Sequence, residues 1–161
     1  MSQKKYRTKK KTASTNLFLV EGLSAVSEYM RFAPNMLEVL CCKASNMKEL
    51  DPGLLSKLQC MPTTTSAWLK ENARLPSKAP IWGYVRVDSS NEDDLVDRIE
   101  QDKPRLVLAL DHIQDPRNLG AIARTAAFMG VKHIVVPKQR QVLLTDVSVA
   151  TAQGAFCYTD L

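Results

Sequence analysis

The sequence predicts an α/β protein made of two successive units. Two observations carry this. Residues 106–137 pass from an apolar run through a polar loop and a helical periodicity into a second apolar run, His133-Ile134-Val135-Val136, which is the strand–helix–strand order of a parallel sheet. Residues 17–88 alternate shorter helical and extended patterns and are set apart from that unit by an acidic segment ending at Pro104.

The 161 residues, 45% of them hydrophobic, can bury one ordinary core or two small ones. No apolar run approaches the roughly 18 residues of a membrane span. The basic N-terminus lacks the apolar segment and cleavage site of a secretory signal. A cytoplasmic protein with no membrane partner is expected. The four cysteines, Cys41, Cys42, Cys60 and Cys157, lack metal-ligand spacing, so buried free thiols and no metal site are expected. Net charge is +5, but Lys4, Lys5, Arg7, Lys9, Lys10 and Lys11 are six of the 22 basic residues, and the other 16 face 17 acidic ones. The body is near neutral. Residues 1–16 form a basic tail, expected to be disordered, that can attract a phosphate polymer without reading its sequence. Lys9, Lys10 and Lys11 are its candidate RNA contacts; such a tail also serves solubility alone.

Leu17 to Gly22 is expected as a buried turn or short strand. Leu23, Val26 and Met30 share one helical face, which Pro34 ends. Met36 to Cys41 is a strand, and Lys43 to Leu50 a short helix. Asp51-Pro52-Gly53 is a turn, or Pro52 opens a new helix with Leu54, Leu55 and Leu58 on its apolar side. Pro62 to Ser66 caps a helix over Ala67 to Ala73. Ile81 to Val87 is the last strand of this unit, which closes near Asp88. Trp68, Trp82 and Tyr84 are assigned to its core rather than to base stacking.

Residues 89–104 form an acidic linker with a short helix capped by Ser90 or Asn91. Leu106 to Leu110 lacks alternation, so it is expected to be buried on both faces of a parallel sheet. Pro116 and Asn118 set up the next helix, with Leu119, Ile122, Ala126 and Met129 as its core stripe and Gly130 as a left-handed cap. Thr145 or Asp146 caps a further helix to about Ala152, which Gly154 breaks. Only two strands arise after Arg105. A two-stranded parallel sheet leaves its edges unpaired. The expectation is that the C-terminal part of this domain is missing, the alternative being a partner chain that completes the sheet.

Between strand and helix stands Asp111-His112-Ile113-Gln114-Asp115-Pro116-Arg117-Asn118-Leu119-Gly120, followed by Arg124 and Ala126. This stretch resembles the first motif of the SpoU/TrmH branch of the SPOUT RNA methyltransferases, Asn-x-Gly-x-x-x-Arg after a strand. Phe18 to Gly22, with Ala25 and Val26, resembles the opening of the family's small N-terminal substrate-binding domain, itself similar to kink-turn-binding ribosomal proteins. Val135 to Pro137 and Gly154-Ala155 fit the family's course, so the resemblance covers nearly all of residues 17–161.

The resemblance implies methyl transfer from S-adenosylmethionine to a ribose 2′-hydroxyl of rRNA or tRNA, a homodimer, and a C-terminal knot that holds the cofactor. It implies a small α/β RNA substrate-binding domain over residues 17–88 and a partial SPOUT domain, its knot region absent, over residues 105–161. The family's second motif, with a Gly-Asn/Ser-Glu core, and its third, a Ser-Leu-Asn-Val-type run, have no counterpart here. No cofactor-binding residue is therefore expected within this chain.

Asn118 and Arg124 are the candidate catalytic residues. A guanidinium keeps its proton above pH about 12, so Arg124 suits gripping a phosphate and stabilising a developing alkoxide better than accepting a proton. Gly120 would admit a backbone or ligand to close range and is a candidate RNA contact with Arg117 and Glu21. Asn118 can cap the helix, touch ligand or both; Arg117 can touch RNA or face water; Glu21 can orient a loop or touch RNA. His112 and His133 have no partner at catalytic or metal spacing. The alternative function is a noncatalytic RNA-binding module. A nucleotide-binding dehydrogenase is disfavoured, because no Gly-x-Gly-x-x-Gly or Walker sequence is present.

Overall fold

The computed structural model describes residues 16–72, 76–88, 92–137 and 144–161. Lys9, Lys10 and Lys11 lie outside the described residues, as do Ser90 and Asn91. The chain divides into two compact units, residues 1–86 and 87–161.

In the first unit, β1 (Leu17–Glu21) passes through Gly22 into α1 (Leu23–Phe32). Ala25, Val26, Tyr29 and Met30 are its buried face, one helical turn apart in pairs. A 3-10 turn over Pro34–Met36 leads into β2 (Leu37–Cys42), where only Glu38 escapes full burial. The helix expected after Lys43 is a 3-10 helix, Ala44–Glu49. Pro52 does open a helix, α2 (Pro52–Leu55), because the Asp51 carboxylate accepts the Gly53 N–H at 2.7 Å. A two-residue strand, β3 (Thr63–Thr64), runs straight into α3 (Thr65–Glu71), capped by the Thr64 hydroxyl, which accepts the Ala67 N–H at 3.2 Å.

With β4 (Ile81–Arg86) these strands form a sheet in the order β1-β4-β2-β3. β1 and β2 are antiparallel to β4, and β3 is parallel to β2. Trp82 is fully buried on β4, and Trp68 of α3 meets it edge to face with centroids 5.0 Å apart, against Val39 and Cys41. Both indoles are core. Half-buried Tyr84 stands edge-on to Trp82 at 6.0 Å.

The second unit begins with α4 (Glu92–Asp102), then β5 (Val107–Ala109), α5 (Pro116–Phe128), β6 (His133–Val135) and α6 (Asp146–Ala152), with a 3-10 turn over Ala155–Cys157. β5 and β6 pair in parallel, as Val107 with His133 through Ala109 with Val135. Beyond β6, Asp160 adds a parallel bridge to His133: the Ile134 N–H donates to the Asp160 carbonyl at 2.9 Å.

Two expectations are corrected here. Leu106 is 60% exposed and no residue of β5 is fully buried, since β5 pairs on one side only among the described residues. The core stripe of α5 is Leu119, Gly120, Ala123 and Ala126; Ile122 is half-buried and Met129 is 71% exposed. Where α6 lies against α5 rotates the stripe toward the smaller side chains. The short helix expected in the acidic stretch is α4, and Asp102 at its end accepts hydrogen bonds from Lys132 Nζ at 2.5 Å and His133 Nε2 at 2.8 Å.

Candidate functional site

The polar loop after β5 delivers α5 with a defined start. Asp115 is the N-cap: its carboxylate accepts the Arg117 N–H at 2.8 Å, and Pro116 follows at the first helical position. Asn118 therefore does not cap the helix. It sits in the first turn, exposed, and its amide makes no hydrogen bond among the described residues. Arg117 is exposed too, with Nη1 only 3.9 Å from Asp115 Oδ1, a loose surface pair.

Gly120 does not face ligand. It is buried where α5 crosses α6, and a β-carbon there would stand 2.4 Å from the Ser148 backbone oxygen, 2.7 Å from Thr151 Cβ and 3.1 Å from the Ala152 nitrogen. The backbone that comes close is α6 itself. Ser148 is held in place by a capping box, its hydroxyl accepting the Thr145 N–H at 2.9 Å while Thr145 Oγ1 accepts the Ser148 N–H at 3.2 Å.

One turn beyond the crossing, Arg124 emerges at the edge of an open groove of about 730 Å³ between α5, α6 and the turn after α6. Ala121, Phe128, Thr151, Ala152 and Tyr158 are among the residues that line it. Thr125 and Thr151 turn their hydroxyls back onto the Ala121 and Val147 carbonyls, at 3.0 and 2.7 Å, so neither adds a free donor. Arg124 is exposed, makes no hydrogen bond or ion pair among the described residues, and is the one charged side chain of the groove.

Helix geometry sorts the remaining candidates. At about 100° per residue, Arg117 and Arg124, seven apart, share a face, whereas Asn118 and Arg124 project about 120° apart. Glu21 lies in the first unit, where its carboxylate accepts a hydrogen bond from buried Ser77, whose hydroxyl in turn accepts the Ala79 N–H at 2.9 Å. That tie fixes the chain entering β4 against the end of β1 and gives Glu21 a structural task. Phe128, Thr151 and Tyr158 were not singled out in the sequence; the only signal was Phe128 four residues after Arg124.

A second polar cluster surrounds His133. The ring is fully buried, its Nε2–H donating to Asp102, while Nδ1 lies 3.6 Å from Asp160 Oδ2 without a hydrogen bond. The Lys132 hydrogen bond, and then that of His133, hold the Asp102 carboxyl below its ordinary value. Among the described residues no cluster of three or more metal-ligating side chains occurs, and no helix is long and apolar enough to cross a membrane.

Residues 105–161 match the family model described as the SpoU rRNA Methylase family. A 23S rRNA (guanosine-2′-O-)-methyltransferase RlmB from Haemophilus ducreyi is 32% identical over 144 residues, which are 84% of this chain and 57% of that protein. The SpoU methyltransferase AviRb from Streptomyces viridochromogenes, in complex with the cofactor AdoMet, superposes with a TM-score of 0.62 at 18% identity, over 89% of this chain and 52% of the other. An AdoMet-bound rRNA methyltransferase from Sinorhizobium meliloti gives 0.59 at 17% identity, over 90% and 53%. The chain thus spans little more than half the length of these relatives.

Proposed function

We propose that the chain belongs, through residues 105–161, to the SpoU rRNA methylase family whose model matches them, and that the whole protein transfers the methyl group of S-adenosylmethionine to a ribose 2′-hydroxyl of rRNA or tRNA. The observation that carries this reading is Arg124. It is exposed one turn past a close helix crossing and has no partner among the described residues, which supports the role that the first motif implies for it. A guanidinium there grips a backbone phosphate and stabilises negative charge on the ribose oxygen as it is methylated. Asn118, on the same helix, is the second residue of the acceptor side.

The α5–α6 groove does not fit the methyl donor. S-adenosylmethionine carries a cationic sulfonium and an ammonium group, and among the described residues the groove offers a guanidinium and no carboxylate. In the family the donor's pocket belongs to the second and third motifs, which have no counterpart in these 161 residues. The first unit serves as the RNA-binding domain. It is supported by the match to the Haemophilus ducreyi protein, which at 144 residues runs over both units. Lys9, Lys10, Lys11 and Arg117 add nonspecific phosphate contacts, and the whole protein works as a homodimer.

The test maps ribose methylation in rRNA and tRNA of cells with and without the gene. Loss of 2′-O-methylation at a defined nucleotide, restored by the wild-type gene and not by Arg124→Ala, is the expected result. An unchanged methylation map overturns the enzyme. A noncatalytic RNA-binding module is the second reading; it gains if the map is unchanged while the purified chain still retains rRNA fragments.

A further inference from the structure

We propose that the groove between α5 and α6 is a nucleotide subsite, in which Arg124 takes a phosphate and Phe128 and Tyr158 offer aromatic faces to the base. This rests on the reading of Arg124 as an RNA-side residue and goes beyond it by naming what fills the groove.

The walls decide the occupant. Ala121, Ala152 and the carbon faces of Thr125 and Thr151 make most of the groove apolar, because both threonine hydroxyls are already donated to their own helices. A cation that is alone and unpaired among the described residues of such a surface selects a ligand with an anion at one end and a flat, weakly hydrated body at the other. A nucleotide has that shape. Phe128 is 88% exposed, the most exposed large hydrophobic side chain among the described residues, and it sits four residues after Arg124 on the same helix face. Tyr158 is 43% exposed and lines the same groove from the turn after α6. Base stacking on aromatic rings tolerates any base and strengthens binding independently of salt, whereas a phosphate contact weakens with salt. The two contributions can therefore be read apart.

The experiment titrates the 161-residue chain with two fluorescein-labelled probes, an adenosine pentaribonucleotide and a pentamer of abasic ribose phosphate, by anisotropy at several salt concentrations. The wild type is expected to prefer the adenine probe by about ten-fold. Phe128→Ala should remove most of that preference and leave the abasic probe's affinity and salt slope unchanged; so exposed a side chain can be removed without emptying a core. Arg124→Gln should weaken both probes and reduce the salt slope by about one counterion. A wild type without preference, or a preference that survives in Phe128→Ala and in Tyr158→Ala, overturns the subsite. The methylation map still stands as the separate test of the enzyme. If sedimentation shows instead that Phe128→Ala turns a dimer into a monomer with the adenine preference intact, the groove is an interface between copies and the proposal fails.

Discussion

Gly120 and Ser148 meet more closely than any residue with a side chain allows: a β-carbon on Gly120 would lie 2.4 Å from the Ser148 carbonyl oxygen. The oxygen cannot yield easily. Ser148 is fully buried, and its hydroxyl donates to the Thr145 carbonyl at 2.9 Å inside the capping box that starts α6. The glycine of the motif therefore sets the distance between two helices, and through that distance the place where Arg124 leaves α5.

Gly120→Ala should destabilise the second unit. Alanine gains up to about 1 kcal/mol of helix propensity over glycine. Forcing a methyl group into a packed contact costs about 1–3 kcal/mol, and more when the obstacle is backbone. The expected balance is a net loss of roughly 1–2 kcal/mol, seen as a melting temperature lower by about 5–10 °C in circular dichroism. An unchanged or higher melting temperature would show that α5 and α6 do not touch at this point.

The limits of α5 were legible because they are local. Pro116 and Gly130 mark its ends whatever surrounds them, and Thr145 likewise announces α6. Its buried side was not. Leu119, Ile122, Ala126 and Met129 have the periodicity of a core stripe, but the position of α6 selects Gly120 and Ala123 and leaves Met129 in solvent. β3 was invisible for a related reason, since two threonines become a strand only because β2 offers an unpaired edge. Within the site, Arg124 was legible from its motif. Phe128 and Tyr158 were not, because the groove joins residues thirty positions apart.

Cys41 and Cys42 should resist alkylation in the native chain. Both are fully buried on β2, and burial pushes the Cys41 thiol up to about 11, only partly opposed by the neighbouring Thr65 side chain. Burial raises Cys42 as well. At about pH 8 the reactive thiolate of Cys41 is then near one part in a thousand. Mass spectrometry after native iodoacetamide treatment should find neither residue modified, and both modified in concentrated guanidinium. Native labelling as fast as in denaturant would show that β2 is not in the core.

Gly130 separates backbone strain from lost contact. Its φ is +73°, and a β-carbon there would meet nothing within 4 Å. The turn closes α5 with two hydrogen bonds, Gly130 N–H to the Ala127 carbonyl at 3.1 Å and Val131 N–H to the Ala126 carbonyl at 2.9 Å. Gly130→Ala should cost about 1 kcal/mol, because alanine disfavours the left-handed region, and Gly130→Asn should cost less. Urea unfolding compares them; equal losses would point away from φ as the cause.

Asp102 should give the second unit an acid-sensitive hold between α4 and β6. Hydrogen bonds from Lys132 and then His133 keep its folded carboxyl below the ordinary 3.8, so the folded state binds the proton less readily than the unfolded state. The stability this supplies is complete above the ordinary value and disappears as pH falls through the folded one. Asp102→Asn keeps the shape of the side chain but removes the charge facing Lys132 and buried His133. The variant should unfold at lower urea than the wild type near neutral pH, and the two midpoints should converge as pH falls below about 4. A gap of constant size across that range would mean that the Asp102 charge does not hold α4 to β6.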